Sequence, residues 1–243
     1  MRTRIVIIAC LMMSSYLSGQ DASIIQVNSE KFHELISGDK GILVDVRTAS
    51  EFKNGHIPDA GQLNYYAFDF KKKLSLLPKD QAIYLYCNTG YRSEKAAEML
   101  IENGYANVYN LKNGIMEWEL IDLPVIAEPD ARPDTDNKVD PGQYYAILES
   151  DSIVFIDFYA PWCGPCRKMM PMIDSLKTEY HQQISMYKVN ADASKKLIKE
   201  LKLSGVPYLA LFQNGKLLWS NNGSVSRSKL TSILDESLLN QSN

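Results

Sequence analysis

Fifteen residues, EPDARPDTDNKVDPG at positions 128–142, constrain the fold of this chain more than any other feature. Three prolines and four aspartates in that space leave almost no side chain to bury, so residues 128–140 read as a semi-extended linker. It cuts the 243 residues into segments of 22–127 and 141–240, each near the size of one ordinary domain. No internal repeat relates the two. With 45% hydrophobic and 23% charged residues, both can bury a core, and extensive disorder is excluded. A formal charge of -3 argues against a nucleic-acid partner or an anionic-membrane footprint. Four cysteines are too few for a disulfide-stapled scaffold, so the position of each one matters.

The chain opens Met1-Arg2-Thr3-Arg4, runs apolar from Ile5 to Met13, and turns small and polar through Ser14-Ser15 and Ser18-Gly19-Gln20. That order describes a secretory signal peptide over residues 1–20, cleaved near Gly19 or Gln20. The apolar run is well short of the ~20 residues a spanning helix needs, so no transmembrane helix is expected after its removal. A buried N-terminal strand is the other reading. Cys10 follows Ile7-Ile8-Ala9, which loosely resembles a lipoprotein processing box, although the apolar run before it is short for one. Lipidation at Cys10 is the lesser alternative. The expected location is export to the periplasm or cell envelope, where Cys87, Cys163 and Cys166 remain. One close pair and one lone cysteine there point to redox or sulfur chemistry.

Both segments alternate strand and helix. In the first, Ile42–Val46 and Ala82–Tyr86 are short apolar runs of the kind found in parallel strands buried on both faces, and Val108–Leu111 reads as another strand. Ser93–Asn103 has helical spacing through Ala96, Ala97, Leu100 and Ile101, with Gly104 at the stop position. In the second, strands are expected at Ile153–Tyr159, Ser185–Val189, Tyr208–Gln213 and Lys216–Ser220, the last two joined by Asn214-Gly215. Helices are expected at Cys163–Tyr180, Ser194–Leu201 and Ser228–Leu239. Both units are therefore α/β.

Trp162-Cys163-Gly164-Pro165-Cys166 sits where an apolar strand ends and a helix begins. The positive end of the helix dipole and its free N–H groups stabilise a thiolate on Cys163. Two intervening residues let Cys166 close a disulfide with little backbone movement, so Cys163 attacks and Cys166 resolves. A zinc pair would need a second CxxC or CxxH, and the chain has none, so no metal is expected. A purely structural disulfide would close too tight a loop to stabilise the fold much.

Asp157-Phe158-Tyr159-Ala160-Pro161-Trp162-Cys163-Gly164-Pro165-Cys166 resembles thioredoxin, and the likeness extends over 141–240. It implies a thioredoxin fold with Cys163 as nucleophile and Cys166 as the buried resolving thiol. Asp157 matches the buried acid that moves protons to and from the resolving cysteine, and Lys188 the lysine beside that acid. Pro207, after Val206, matches the cis-proline packed against the disulfide, and Pro171 the kink of the active-site helix. Val206, Pro207 and Trp162 would contact substrate. Tyr159 and Tyr208 depart from the tryptophan and threonine usual at those places, beside the expected substrate groove. Blander readings stand alongside: Asp157 as a hydrogen-bonded buried acid, Lys188 as a half-exposed strand lysine, and Trp162 as apolar cover.

Cys87 ends the strand Ala82–Tyr86, and Asn88, Thr89, Gly90, Tyr91 and Arg92 lead into the next helix. Ligands of open parallel sheets collect at the carboxyl ends of strands. A tight loop entering a helix there aims several backbone N–H groups at one spot, an anion nest that would hold a thiolate or persulfide. Gly90 permits the close turn, and Arg92 offers a guanidinium suited to oxyanions such as thiosulfate. An inert buried cysteine is the alternative.

Cys87-Asn88-Thr89-Gly90-Tyr91-Arg92-Ser93 resembles the active loop of rhodanese-type sulfurtransferases. So do Asp45-Val46-Arg47, Glu51 with Gly55-His56-Ile57-Pro58-Asp59-Ala60, and Gly114 leading to Trp118, in the family's order over 24–125. Asp59 replaces the glycine usual after the proline. The resemblance implies a rhodanese-like parallel-sheet α/β domain in which Cys87 carries the persulfide. The backbone of 88–92 would cradle it, Arg92 would close the loop, and Asp45 and Arg47 would be scaffold. The six-residue loop fits sulfur transfer, whereas the related phosphatases use a longer one. His56 reads as structural, and His33 and His181 as solvated helix residues.

The leading expectation is a fusion in which sulfane sulfur passes to Cys87 and the Cys163/Cys166 dithiol removes it as sulfide. The linker would raise the effective concentration of one site at the other. The expected partners are a protein disulfide or thiol reductant and a sulfane-sulfur donor such as thiosulfate or a persulfide, with no cofactor. Two alternatives keep the dithiol as an independent envelope disulfide reductase. In one the first domain works separately, and in the other it only docks partners or senses oxidation through Cys87.

Overall fold

The computed structural model describes residues 23–38, 41–150 and 152–239. The expected signal peptide and Cys10 lie outside the described residues. The first unit runs β1 (Ile25–Val27), α1 (Ser29–Gly38), β2 (Ile42–Asp45), α2 (Ala49–Lys53), β3 (Gly61–Gln62), α3 (Phe70–Leu74), β4 (Ile83–Tyr86), α4 (Tyr91–Glu102), β5 (Val108–Leu111) and α5 (Gly114–Leu120). Its sheet has the order β1-β5-β4-β2-β3 with every pairing parallel. The central strand β4 is buried on both faces, as its unbroken apolar run requires. Its period-2 alternation sends Ile83 and Leu85 to a core with Val44, Ala96, Ala97 and Leu100. Tyr84 and Tyr86 join Phe32, Ile115 and Trp118 on the opposite face.

The second unit runs α6 (Pro141–Ser150), β6 (Ile153–Tyr159), α7 (Gly164–Glu179), β7 (Ser185–Asn190), α8 (Lys195–Glu200), β8 (Tyr208–Gln213), β9 (Lys216–Asn222) and α9 (Arg227–Leu239). Its sheet has the order β7-β6-β8-β9; β6 and β7 are parallel, while β8 is antiparallel to both β6 and β9. On one face Ile153 and Phe155 pack with Ile173, Leu176, Leu230 and Leu234, so the same alternation turns Asp157 towards α7 and α9. On the other, Val154, Ile156 and Phe158 pack with Leu197, Ala210 and Phe212. The chain is therefore two α/β units, and each cysteine centre follows the carboxyl end of a central strand.

Several boundaries differ from those expected. Helix α4 begins at Tyr91 rather than Ser93 because Gly90, at φ 85°, takes the left-handed conformation and starts the helix immediately. Helix α6, which the sequence reading did not expect, opens on Pro141 directly after the linker; proline suits the first helical position because it lacks the N–H that would go unpaired there.

Residues 128–140 contain neither helix nor strand, yet they are pinned to both units. The Glu128 N–H donates to the Lys53 carbonyl, and the Arg132 N–H to Asn54 Oδ1. Farther on, the Asn137 carbonyl accepts from the Asn190 N–H, and the Val139 N–H donates to Ser194 Oγ. The units also touch through α5, where Met116 and Leu120 pack against the second unit's core. Lys195 Nζ lies 2.6 Å from Glu119 Oε1, and Lys199 pairs with Asp122. Among the described residues no helix is long and apolar enough to cross a membrane, and no His, Cys, Asp and Glu cluster is placed to hold a metal.

Candidate functional site

Strand β6 delivers the dithiol. Cys163 is the N-cap of α7, and its Sγ accepts from the Cys166 N–H at 3.1 Å. The two cysteines form a disulfide with Cα atoms 5.2 Å apart. Cys163 Sγ lies 3.7 Å from the Val206 carbonyl oxygen, and the Val206–Pro207 bond is cis. Trp162, Ala160 and Val206 pack in the cluster that encloses both sulfurs. The Trp162 indole N–H donates to both carboxylate oxygens of Asp192, at 2.8 and 3.1 Å. Of the two departing tyrosines, Tyr159 takes a hydrogen bond on its hydroxyl from Asn137 Nδ2, while Tyr208 lies against Phe158.

Asp157 is buried, and its Oδ1 has no hydrogen-bond partner among the described residues. Burial pushes its carboxyl up to about 7, with the Lys188 charge opposing and Asp174 adding to the rise. Lys188 stands opposite Asp157 in the β6–β7 register, but its ammonium pairs with Asp174 at 2.7 Å. Its hold on Asp157 is therefore shared, as expected for a half-exposed strand lysine. Pro171 lies inside α7.

The Cys87 loop is built with less freedom. Cys87 is 1% exposed, and its carbonyl accepts the Ile115 N–H at 2.8 Å, while the Asn88 carbonyl accepts the Met116 N–H at 3.1 Å. The first turn of α5 thus seats the loop. Both glycines at this junction are obligatory. A Cβ on Gly90 would stand 1.9 Å from the Lys112 carbonyl oxygen, and one on Gly114, at φ 65°, 2.3 Å from Asn88 backbone atoms. The Gly90 carbonyl accepts from Ser93 Oγ and Asn110 Nδ2. Thr89 is half-buried and Tyr91 exposed.

The two arginines of this site, Arg47 and Arg92, each have an acidic partner. Arg47 is buried against Asp45, with further bonds to the Gly55 carbonyl and Asn88 Oδ1. Arg92 donates to both oxygens of Glu51, at 2.7 and 3.1 Å, and its guanidinium lies over the Tyr66 ring. Glu51 also accepts from Asn88 Nδ2 at 2.6 Å and from the Thr48 N–H and hydroxyl. Burial works against the Glu51 charge, but Arg92 and Thr48 outweigh it and hold the carboxyl below its ordinary value. Arg92 therefore closes the loop through Glu51, with one bond from each terminal nitrogen. His56 is buried, stacked on Phe52, and structural.

A cleft of about 440 Å³ opens between the units. Asn88, Glu51 and Tyr66 line one side, and Pro161, Trp162 and Asp192 the other. The residue after Cys87 and the two before Cys163 thus share one space, although neither sulfur lines it directly. Sequence reasoning had no role for Glu51 beyond its place in a motif, and none for Asp192. Thr48-x-x-Glu51 was readable as a capping box, which the structure contains; the approach of Asp192 to Trp162 depends on tertiary packing.

A family model described as rhodanese-like domain matches residues 28–120, and one described as thioredoxin matches 137–236. The chain is 35% identical over 92 residues to thioredoxin 1 of Synechococcus elongatus, covering 38% of this chain and 86% of that protein. It is 34% identical over 90 residues to the thioredoxin of Porphyra purpurea, covering 37% and 84%. Against the chloroplastic M-type thioredoxin of Spinacia oleracea it is 38% identical over 92 residues, covering 38% of this chain and 51% of that protein. The chain therefore spans about half the length of the spinach protein.

Proposed function

Since the chain belongs to the thioredoxin family and carries a rhodanese-like domain ahead of the thioredoxin domain, we propose that it is a thiol-disulfide oxidoreductase coupled to sulfur transfer. The observation that carries the coupling is the shared cleft, which Asn88 and Trp162 line from opposite sides. The Cys87 thiolate takes the outer sulfur of a donor and becomes a persulfide. The reduced Cys163 thiolate attacks that outer sulfur, and Cys87 leaves as thiolate. Cys166 then attacks Cys163, expelling hydrosulfide and closing the Cys163–Cys166 disulfide. Two electrons pass from the dithiol to the sulfane sulfur, and the Cys166 proton goes to Asp157 or solvent. A carboxyl that titrates near 7 suits that exchange. The basic, apolar and then small-residue N-terminus supports reading the protein as exported to the cell envelope.

The test is intact-mass spectrometry of the reduced protein after brief thiosulfate treatment, beside a Cys163→Ser, Cys166→Ser variant. Coupling predicts that the variant keeps one extra sulfur on Cys87, while the unaltered chain loses it and gains its disulfide. Equal retention in both would leave two independent centres. No loading with thiosulfate or with a small-thiol persulfide would remove the sulfurtransferase half of the proposal.

A further inference from the structure

The approach to Cys163 is narrowed from outside its own domain. Cys163 is 3% exposed, with Trp162 packed on one flank and the Val206 carbonyl oxygen 3.7 Å from its Sγ on the other. A protein that brings a disulfide to it needs surface around both flanks, because a standard interface covers about 800 Å² of each partner. The Trp162 flank is walled. Pro161 and Trp162 share the 440 Å³ cleft with Tyr66 of the first unit and with Arg132, Pro133 and Asp134 of the linker. A space of that size suits a small molecule rather than a protein surface. The contacts that hold the walls in place bypass the dithiol. On α8, Lys195 pairs with Glu119 at 2.6 Å and Lys199 pairs with Asp122, while Met116 and Leu120 of α5 lie on the second unit's core. The linker adds Asn137, whose carbonyl accepts from the Asn190 N–H and whose Nδ2 donates to the Tyr159 hydroxyl. The side chains of the two ion pairs are between 28% and 74% exposed, and exposed pairs are individually weak. The walls are therefore closed by contacts that modest changes can undo.

We infer that the first unit and the linker form a size filter on the dithiol, which admits small disulfides and excludes folded protein disulfides. Glu119, Asp122, Lys195 and Lys199 are the residues that keep it closed. They act as positioning residues, since none of the four belongs to the cluster around the sulfurs. Discrimination of this kind comes from a clash built against the wrong partner, not from better contacts with the right one. The inference rests on the oxidoreductase reading of Cys163 and Cys166, and it does not require Cys87 to carry sulfur.

The test mixes the pre-reduced full chain with insulin or with bis(2-hydroxyethyl) disulfide, which is small and uncharged. Formation of the Cys163–Cys166 disulfide is followed by alkylation and intact mass. Lys195→Glu together with Lys199→Glu sets like charges against each other at both pairs. That variant is expected to react with insulin about fivefold faster or more, with its rate on the small disulfide within about twofold of the parent's. Adding Glu119→Lys and Asp122→Lys reverses both pairs and should return the insulin rate to the parental value, which a change in stability alone would not do. Leu120→Asp loosens the apolar side of the same contact and should also raise the insulin rate alone. An insulin rate that stays parental in both loosened proteins overturns the filter. So does a rise shared by both substrates, or one that charge reversal fails to undo. A chain that reduces neither substrate overturns the oxidoreductase reading beneath it.

Discussion

Glu51 grips both terminal nitrogens of Arg92, at 2.7 and 3.1 Å, and so ties α2 to the first turn of α4 across the mouth of the Cys87 loop. The pair is close to buried, with side-chain exposures of 10% and 8%, so neither charge can be lost cheaply. Glu51→Gln is expected to destabilise the fold by roughly 2 kcal/mol, because Arg92 is left without its counter-charge. The Glu51 pKa is depressed on folding, so its contribution is complete above the unfolded value of about 4.3 and is lost as pH falls through the lower folded value. Urea unfolding between pH 3 and 6 should show a smaller acid-side slope in the variant. Equal slopes would mean that the pair adds nothing.

Asp157 runs the other way. Its folded pKa, about 7, stands above the unfolded carboxylate value of about 3.9, so folding takes up a proton between the two. Stability should therefore fall as pH rises from about 4 to 7, and Asp157→Asn should be the more stable protein at pH 8.5, by roughly 2–4 kcal/mol. The same variant should reduce insulin disulfides more slowly near neutral pH. A variant no more stable at pH 8.5 than the parent would contradict the buried, unpartnered carboxyl.

Gly90 is held at φ 85° with no room for a side chain. Gly90→Ala should cost about 3 kcal/mol or more, since backbone must move as well as strain be accepted. Gly164 has open space around it, so Gly164→Ala should leave the thermal midpoint nearly unchanged. Calorimetry on the two variants side by side checks the contrast, and equal midpoints would refute it.

Cys87→Ser should abolish sulfur loading while leaving insulin reduction by the dithiol within about twofold, because Cys87 packs in the first unit's core. Loss of both activities would place Cys87 in the dithiol's own machinery.

The two sulfur centres and most of the strands were readable because each signal is local. Val108–Leu111, Ile153–Tyr159 and Tyr208–Gln213 are predominantly apolar runs whose limits match the structure. Asp157 stood out as an acid inside such a run. The short β1 and α2 escaped because three to five residues carry no usable period. The capture of Arg92 by Glu51 and of the Trp162 indole by Asp192 joins residues 41 and 30 positions apart, which spacing cannot register. Nor could the acidic linker disclose that Arg132 lines a cleft, since its position follows from the bond between its N–H and Asn54 of the first unit.

Helix α5 is shared between the units, with Ile115 and Trp118 in the first unit's core. Its opening N–H groups hold the carbonyls of Cys87 and Asn88, while Met116 and Leu120 lie on the second unit's core. A chain severed within 128–140 would leave those two side chains facing water on the first fragment, just behind the sulfur-carrying loop. The halves are thus not interchangeable modules strung on a tether. A fragment assayed alone would be a different molecule, with its active loop resting on a support that has lost its backing.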